Sequence, residues 1–122
     1  MANPNLAAVT SILGNVGNVA LTTSAQSLAN NAVSSGTILK VESIIISNST
    51  ASAVTVTVNI YSAAALGGTA FPIASALSIP ANSSFPLVDK STSFYLMENM
   101  SLGALAGSAS ALTVTTTWEV MS

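Results

Sequence analysis

The chain contains no cysteine, no histidine and no arginine. Without cysteine there is no disulfide, no thiolate metal site and no Cys nucleophile. Without histidine as well, there is no Ser-His-Asp triad, no Cys-His pair and no zinc centre. Charge is almost missing. Lys40, Glu42, Asp89, Lys90, Glu98 and Glu119 are all of it, 5% of the residues, where an average domain carries about a quarter. A net charge of −2 offers no basic patch to track phosphates, so nucleic acid is not an expected partner. Long apolar runs are missing too. The chain has no charged side chain before Lys40, yet Asn, Ser, Thr and Gly break every run short of the roughly 18 residues a spanning helix needs. The first residues lack the Lys or Arg of a signal-peptide n-region. The expectation is a chain neither inserted in a membrane nor exported by a classical signal.

What is present is β-forming sequence. The 122 residues are half apolar, enough for one domain with a real core. In Val54 to Tyr61, valines and an isoleucine alternate strictly with Thr55, Thr57, Asn59 and Tyr61. That is the period of a half-buried strand, and β-branched side chains suit it. Leu112 to Val120 repeats the pattern, with Trp118 on the apolar face beside Leu112, Val114 and Val120. That places the indole in the core, and the Thr-rich faces outside.

Thr37 to Ser47 is a further strand. Leu39, Val41 and Ile45 fall on one face; Lys40, Glu42, Ile44 and Ile46 fall on the other. That second face starts charged and ends apolar, so Ile44 and Ile46 are expected to meet another subunit or the middle of a sheet. Asn48-Ser49-Thr50 reads as a turn joining this strand to the Val-Thr strand in a long hairpin. Ala63 to Ala70 reads as a flexible loop, and Pro86 marks an edge strand. Turn signals recur between strands at a spacing of roughly 8 to 14 residues. About eight strands in this rhythm give an all-β, single-domain antiparallel β-sandwich, of the jelly-roll or Greek-key kind. Residues 1–18 are expected to form an N-terminal arm or an edge strand, and residues 19–122 the sandwich. Leu6, Val9, Ile12 and Leu13 give the arm its apolar side. With Ile44 and Ile46, they are the candidate subunit contacts.

Chemistry is hard to find. Asp89 and Glu98 lie in loops and are the one pair of carboxylates worth weighing for glycoside hydrolysis. Solvated loop charges explain them more simply. Gly67-Gly68 has no following Lys and is no phosphate loop. Tyr61, on a polar face, is the aromatic best placed to stack on a sugar, but one ring is a poor platform. Sequons at Asn48, Asn82 and Asn99 are expected by chance in a chain this rich in Asn, Ser and Thr. No catalytic residue, metal site or cofactor is expected.

Several segments resemble a known class. They are Ser34 to Val41 leading into Ile44-Ile45-Ile46-Ser47-Asn48, the Val-Thr strand, Ile79-Pro80-Ala81-Asn82-Ser83-Ser84, Phe94-Tyr95-Leu96-Met97-Glu98, and the close into Trp118-Glu119-Val120. Together they are similar to the small β-rich virion proteins of tailed phages, notably those of cyanobacteria. The likeness runs from residue 19 to the end. It implies a non-enzymatic structural role in the virion, assembled in the host cytoplasm: a capsid decoration (cement) protein, or a tail, neck or fibre component. The implied partners are further copies of the chain, as a homo-oligomer such as a trimer, and a major capsid protein. A glycan-binding sandwich is the alternative from another class.

Overall fold

The computed structural model describes residues 5–122; residues 1–4, the start of the expected arm, lie outside the described residues. Among the described residues nine strands form two antiparallel sheets. They are β1 (Ile12–Ala20), β2 (Gln26–Asn31), β3 (Ile38–Asn48), β4 (Val54–Ala63), β5 (Gly67–Ile79), β6 (Ser83–Val88), β7 (Phe94–Leu96), β8 (Met100–Ala106) and β9 (Leu112–Met121). One sheet runs β1-β9-β3-β6, with the short β7 also on β3; the other runs β2-β8-β4-β5. With β7 set aside, the first strand pairs the last, the second pairs the next to last, and so inward to β3–β6 and β4–β5. This is one long hairpin rolled over on itself, the jelly roll.

The core lies between the sheets. Val54, Val56 and Val58 of β4 face Leu39, Val41, Ile44 and Ile46 of β3, with Leu102, Ala104, Leu112 and Val114 filling the same layer. The alternation along β4 predicts these inward positions. Trp118 packs against the core but stays half-buried. Its ring lies over Gly17, where a Cβ would come within 3.3 Å of it.

Two expectations about β3 are corrected. It does not pair with β4: the strands lie in opposite sheets, so the Asn48 turn is a crossing and not a hairpin. Ile44 and Ile46 are not on the surface either. Both are fully buried at 0% exposure. The cause is a β-bulge. The register with β9 slips between Val41 and Ser43, so one extra residue swaps the faces of everything that follows. Leu39 and Val41 point inward before it, Ile44 and Ile46 after it. Ile45 becomes the outward residue, opposite Thr115.

Two buried asparagines hold the sheet crossings. Asn31, at the end of β2, donates from Nδ2 to the carbonyls of Thr37 (3.0 Å) and Leu96 (3.1 Å). Its Oδ1 accepts from Ser35 Oγ and Thr37 Oγ1. Asn48, at the end of β3, donates to the carbonyls of Ser52 (2.9 Å) and Ile79 (3.0 Å). Its Oδ1 accepts from the backbone N–H and the hydroxyl of Thr50. Each amide thus makes four hydrogen bonds, the full complement of its group. Each also ties one sheet to the other. The Asn48 sequon is spent on this task.

Thr116 is the opposite case. It is buried on the inner face of β9, and its Oγ1 has no hydrogen-bond partner among the described residues. Thr116→Val keeps the shape and removes the desolvated hydroxyl, so it is expected to raise the unfolding free energy by about 1 kcal/mol. Asn48→Ala strands several buried groups and is expected to lower it by at least about 2 kcal/mol. Urea unfolding of the two variants beside the wild type checks both signs. A destabilised Thr116→Val, or an unaffected Asn48→Ala, contradicts these assignments.

Candidate assembly interface

The N-terminal segment enters through a single 3-10 turn, Leu6–Ala8, capped by Asn5, whose Oδ1 accepts from Ala7 N–H at 3.0 Å. The chain then joins the end of β9: the N–H groups of Thr10 and Ser11 both donate to the Ser122 carbonyl. From there β1 runs beside β9 in nine unbroken residue pairs, Ile12 opposite Met121 through Ala20 opposite Thr113. β1 is the last strand of its sheet.

Of the candidate contact residues, Leu6, Ile12 and Leu13 are exposed, and Val9 is half-buried. Ile12 and Leu13 are 55% and 60% exposed. Ile44 and Ile46, in the core, take no part. The most exposed large apolar side chain on β1 is not among the candidates: Val16, at 62%. Its signal was present, since Ile12 and Val16 share the outer face of an uncharged strand. Leu6 precedes this edge strand and Ile12, Leu13 and Val16 lie on it, Leu13 on the face opposite Ile12 and Val16. Val33, Ile45, Phe71, Ile73, Phe85 and Met97 are also exposed, on other strands and in loops.

The residues weighed for chemistry go elsewhere. Tyr61, expected to be exposed, is 8% exposed. The turn after β4 is not a flexible loop. Its backbone N–H groups at Ala64, Ala65 and Leu66 donate in succession to Asn99 Oδ1 (3.0 Å), Asn30 Oδ1 (2.7 Å) and Ser101 Oγ (2.9 Å). These bonds hold Ala65 and Leu66 at positive φ, a costly conformation for residues with a Cβ. They also lay Leu66 and Tyr61 over Gly103, where an added Cβ would meet both. Tyr95 remains 44% exposed, opposite Lys40. On the Thr-rich faces Thr115 bonds Asn18, Thr117 bonds Ser43, and the Thr57 hydroxyl accepts the Ala76 N–H.

Asp89 and Glu98 each tie a loop. Glu98 accepts the Gly36 N–H. Asp89 caps the 3-10 turn Lys90–Thr92 as one half of a capping box with Thr92. A shallow open depression, lined by Ser47, Asn48, Ser49, Asn82, Ser83 and Ser84, carries amides and hydroxyls but no charge. These sites hold no nucleophile with an adjacent base. What the surface offers is apolar, uncharged contact beside an open strand edge.

No family model matches the chain, and no curated protein matches it at a significant level. Solved structures do. A chain from the Bacillus endospore appendages, described as a family of disulfide-linked pili, matches with a TM-score of 0.56 at 16% identity, over 99% of this chain and 95% of that one. A chain of the T13 IBDV viral particle matches with a TM-score of 0.50 at 10% identity, over 93% of this chain and 31% of that one. At these identities the likeness is one of fold. The jelly roll is thus shared with a pilus protein and with part of a viral particle protein. The disulfide linkage of the first has no counterpart here, since this chain has no cysteine.

The Ser91 hydroxyl, then its N–H, hold the Asp89 carboxyl below its usual range. A lowered carboxylate contributes stability above its unfolded pKa and loses it as the pH falls through the folded value. The Ser91 amide resonance is therefore expected to hold through the ordinary carboxylate range and move only in stronger acid. An amide that titrates at the usual aspartate pKa contradicts the cap.

Proposed function

We propose that the chain is a non-enzymatic structural protein of a virion, and most specifically a decoration protein that stabilises a capsid by apolar contact. The observation that carries this reading is the exposed apolar set Leu6, Ile12, Leu13 and Val16 leading into and along the regular edge strand β1. Folding leaves these side chains in water. Burying one Val, Leu or Ile contributes roughly 1.5–3 kcal/mol, and association costs must be subtracted from the sum. Such contacts carry no charge, so they are insensitive to salt. The partners in this reading are further copies of the chain and a major capsid protein. The fold shared with a viral particle chain supports it, and so does the phage-like texture of the sequence from residue 19 onward.

A filament subunit is the second reading. The match that covers nearly the whole of both chains, to the endospore appendage, favours it. A glycan-binding module built on Tyr61 is disfavoured, because that ring is buried.

Light scattering after size exclusion, across a wide concentration range, is expected to give a mass above that of one chain in high salt and low salt alike. Val16→Lys is expected to lower that mass while the β circular dichroism signal stays the same. A single-chain mass at the highest concentration overturns the self-assembly on which both readings rest. Electron microscopy of the concentrated protein separates them: filaments favour the second, discrete oligomers the first.

A further inference from the structure

Sheet edges normally carry devices that stop them pairing with another chain: proline, bulges, Lys, short length or a covering loop. Four of the five edge-lying strands have such devices. β5 carries Pro72, a positive φ at Ala76 and three breaks in register with β4. β6 carries Pro86 and one break. β7 has three residues. β2 has a break after Ser27, and its Asn30 side chain is engaged by the turn at Ala65. Among the described residues β1 has none of these devices. It has nine residues, no proline, no charge and no break in register.

The backbone bonds at its ends fix which residues look outward. Ser11 and Ser122 exchange both N–H···O bonds, and Leu21 N–H donates to Leu112 O. In an antiparallel ladder, bonded residues alternate with residues that turn their N–H and C=O the other way. The odd residues of β1 are therefore bonded to β9. Ile12, Gly14, Val16, Asn18 and Ala20 present theirs to the open edge.

We propose that this edge pairs with the same edge of a second copy, antiparallel, about a two-fold axis at Val16. The inference rests on the self-assembly reading above and names its contact. The sequence Ile-Leu-Gly-Asn-Val-Gly-Asn-Val-Ala fits itself in this register. Val16 meets Val16 of the second copy. Asn15 meets Gly17, Gly14 meets Asn18, Leu13 meets Val19, and Ile12 meets Ala20. Apolar faces apolar, and each amide faces a glycine, where there is room. All nine residues overlap, and every outward backbone group finds a partner. The adjacent allowed registers fit worse. Centring on Asn15 sets Ile12 against Asn18, and centring on Gly17 sets Asn15 against Val19. Charge does not oppose the pairing. The nearest like charges are the two Glu119 side chains, one strand in from each edge. Strand spacing puts them about 14 Å apart or more, beyond the screening length of about 8 Å at physiological salt. The product is a two-fold pair with one continuous sheet across it, rather than a trimer.

Two measurements on the full chain test this. The first mixes two single variants, Leu13→Cys and Val19→Cys, under mild oxidation; the native chain has no cysteine to interfere. Those positions face each other in a non-bonded pair, with Cα atoms about 4.5 Å apart, within reach of a disulfide. A disulfide-linked pair is expected in the mixture and in neither variant alone. The second is Val16→Pro. The Val16 N–H makes no bond to β9, so proline spares that ladder and blocks the centre of the pair. The expected result is loss of the pair by light scattering, with the β circular dichroism signal unchanged. An oligomer that gives no mixed disulfide, or that links through Leu13→Cys alone, overturns this pairing and leaves the structural role standing. So does a pair that persists in Val16→Pro. A wild-type chain that stays single at every concentration overturns both.

Discussion

The rolled hairpin imposes one demand on everything else. Nearly every connection must leave one sheet and enter the other, and β4–β5 is the one long hairpin between consecutive strands. A crossing chain loses its ladder partners while it is still half-buried, and a buried peptide group without a partner is costly. Asn31 and Asn48 answer that demand. Each sits on the last residue of a strand, offers two donors and two acceptor sites, and fills all four. The carbonyls they take up, Leu96 and Ile79, belong to the opposite sheet. Each amide therefore satisfies a crossing and fixes the spacing of the sheets there. The hydroxyls of Ser35, Thr37 and Thr50 serve the same need.

What the sequence discloses and what it hides divide along this line. Period-two alternation is a property of one strand, so β4 and β9 are legible residue by residue. Pairing is a property of two strands distant in the chain. The turn at Asn48 looks like a hairpin because nothing local distinguishes a return into the same sheet from a crossing into the other. The bulge at Glu42 is hidden for a related reason. No Gly or Pro marks it, and its only trace is the change from charged to apolar along one assumed face. Read without the bulge, Ile44 and Ile46 are outward residues. Read with it, that change of character disappears, and the inner row Leu39, Val41, Ile44, Ile46 is apolar throughout. Tyr61 is lost in the same way, since its cover comes from Leu66 and its floor from Gly103, both set by the turn and by the neighbouring strand.

The N-terminal segment shows the same division. Leu6, Ile12 and Leu13 are exposed, and an edge strand begins at Ile12, where the carbonyl of Ser122 and the ladder of β9 take up its backbone. Short-range pattern finds apolar positions; it does not find where a ladder starts.

Scarce charge then acquires a physical meaning. Most sheet proteins keep their edges apart with Lys. This one has only two lysines, one in a 3.4 Å ion pair with Glu42 on β3 and one in a turn. Its edges are guarded by backbone geometry instead: Pro72, Pro86, the register breaks, and the Asn30 clasp. Geometric guards act one strand at a time, whereas a general surface charge acts on all edges at once. A protein that relies on them can close three sides of a sandwich and leave the fourth regular. On that fourth side the residues are neither uniformly apolar, which would invite any strand, nor charged, which would repel its own copy. Amides alternate with glycines, and a single valine lies at the centre. In a shifted register a large residue faces a glycine and loses contact, and an amide facing an aliphatic chain loses water without gaining a bond. Selectivity at an uncharged edge thus comes from the order of residue sizes along the strand, and β1 is the strand here on which that order is its own complement.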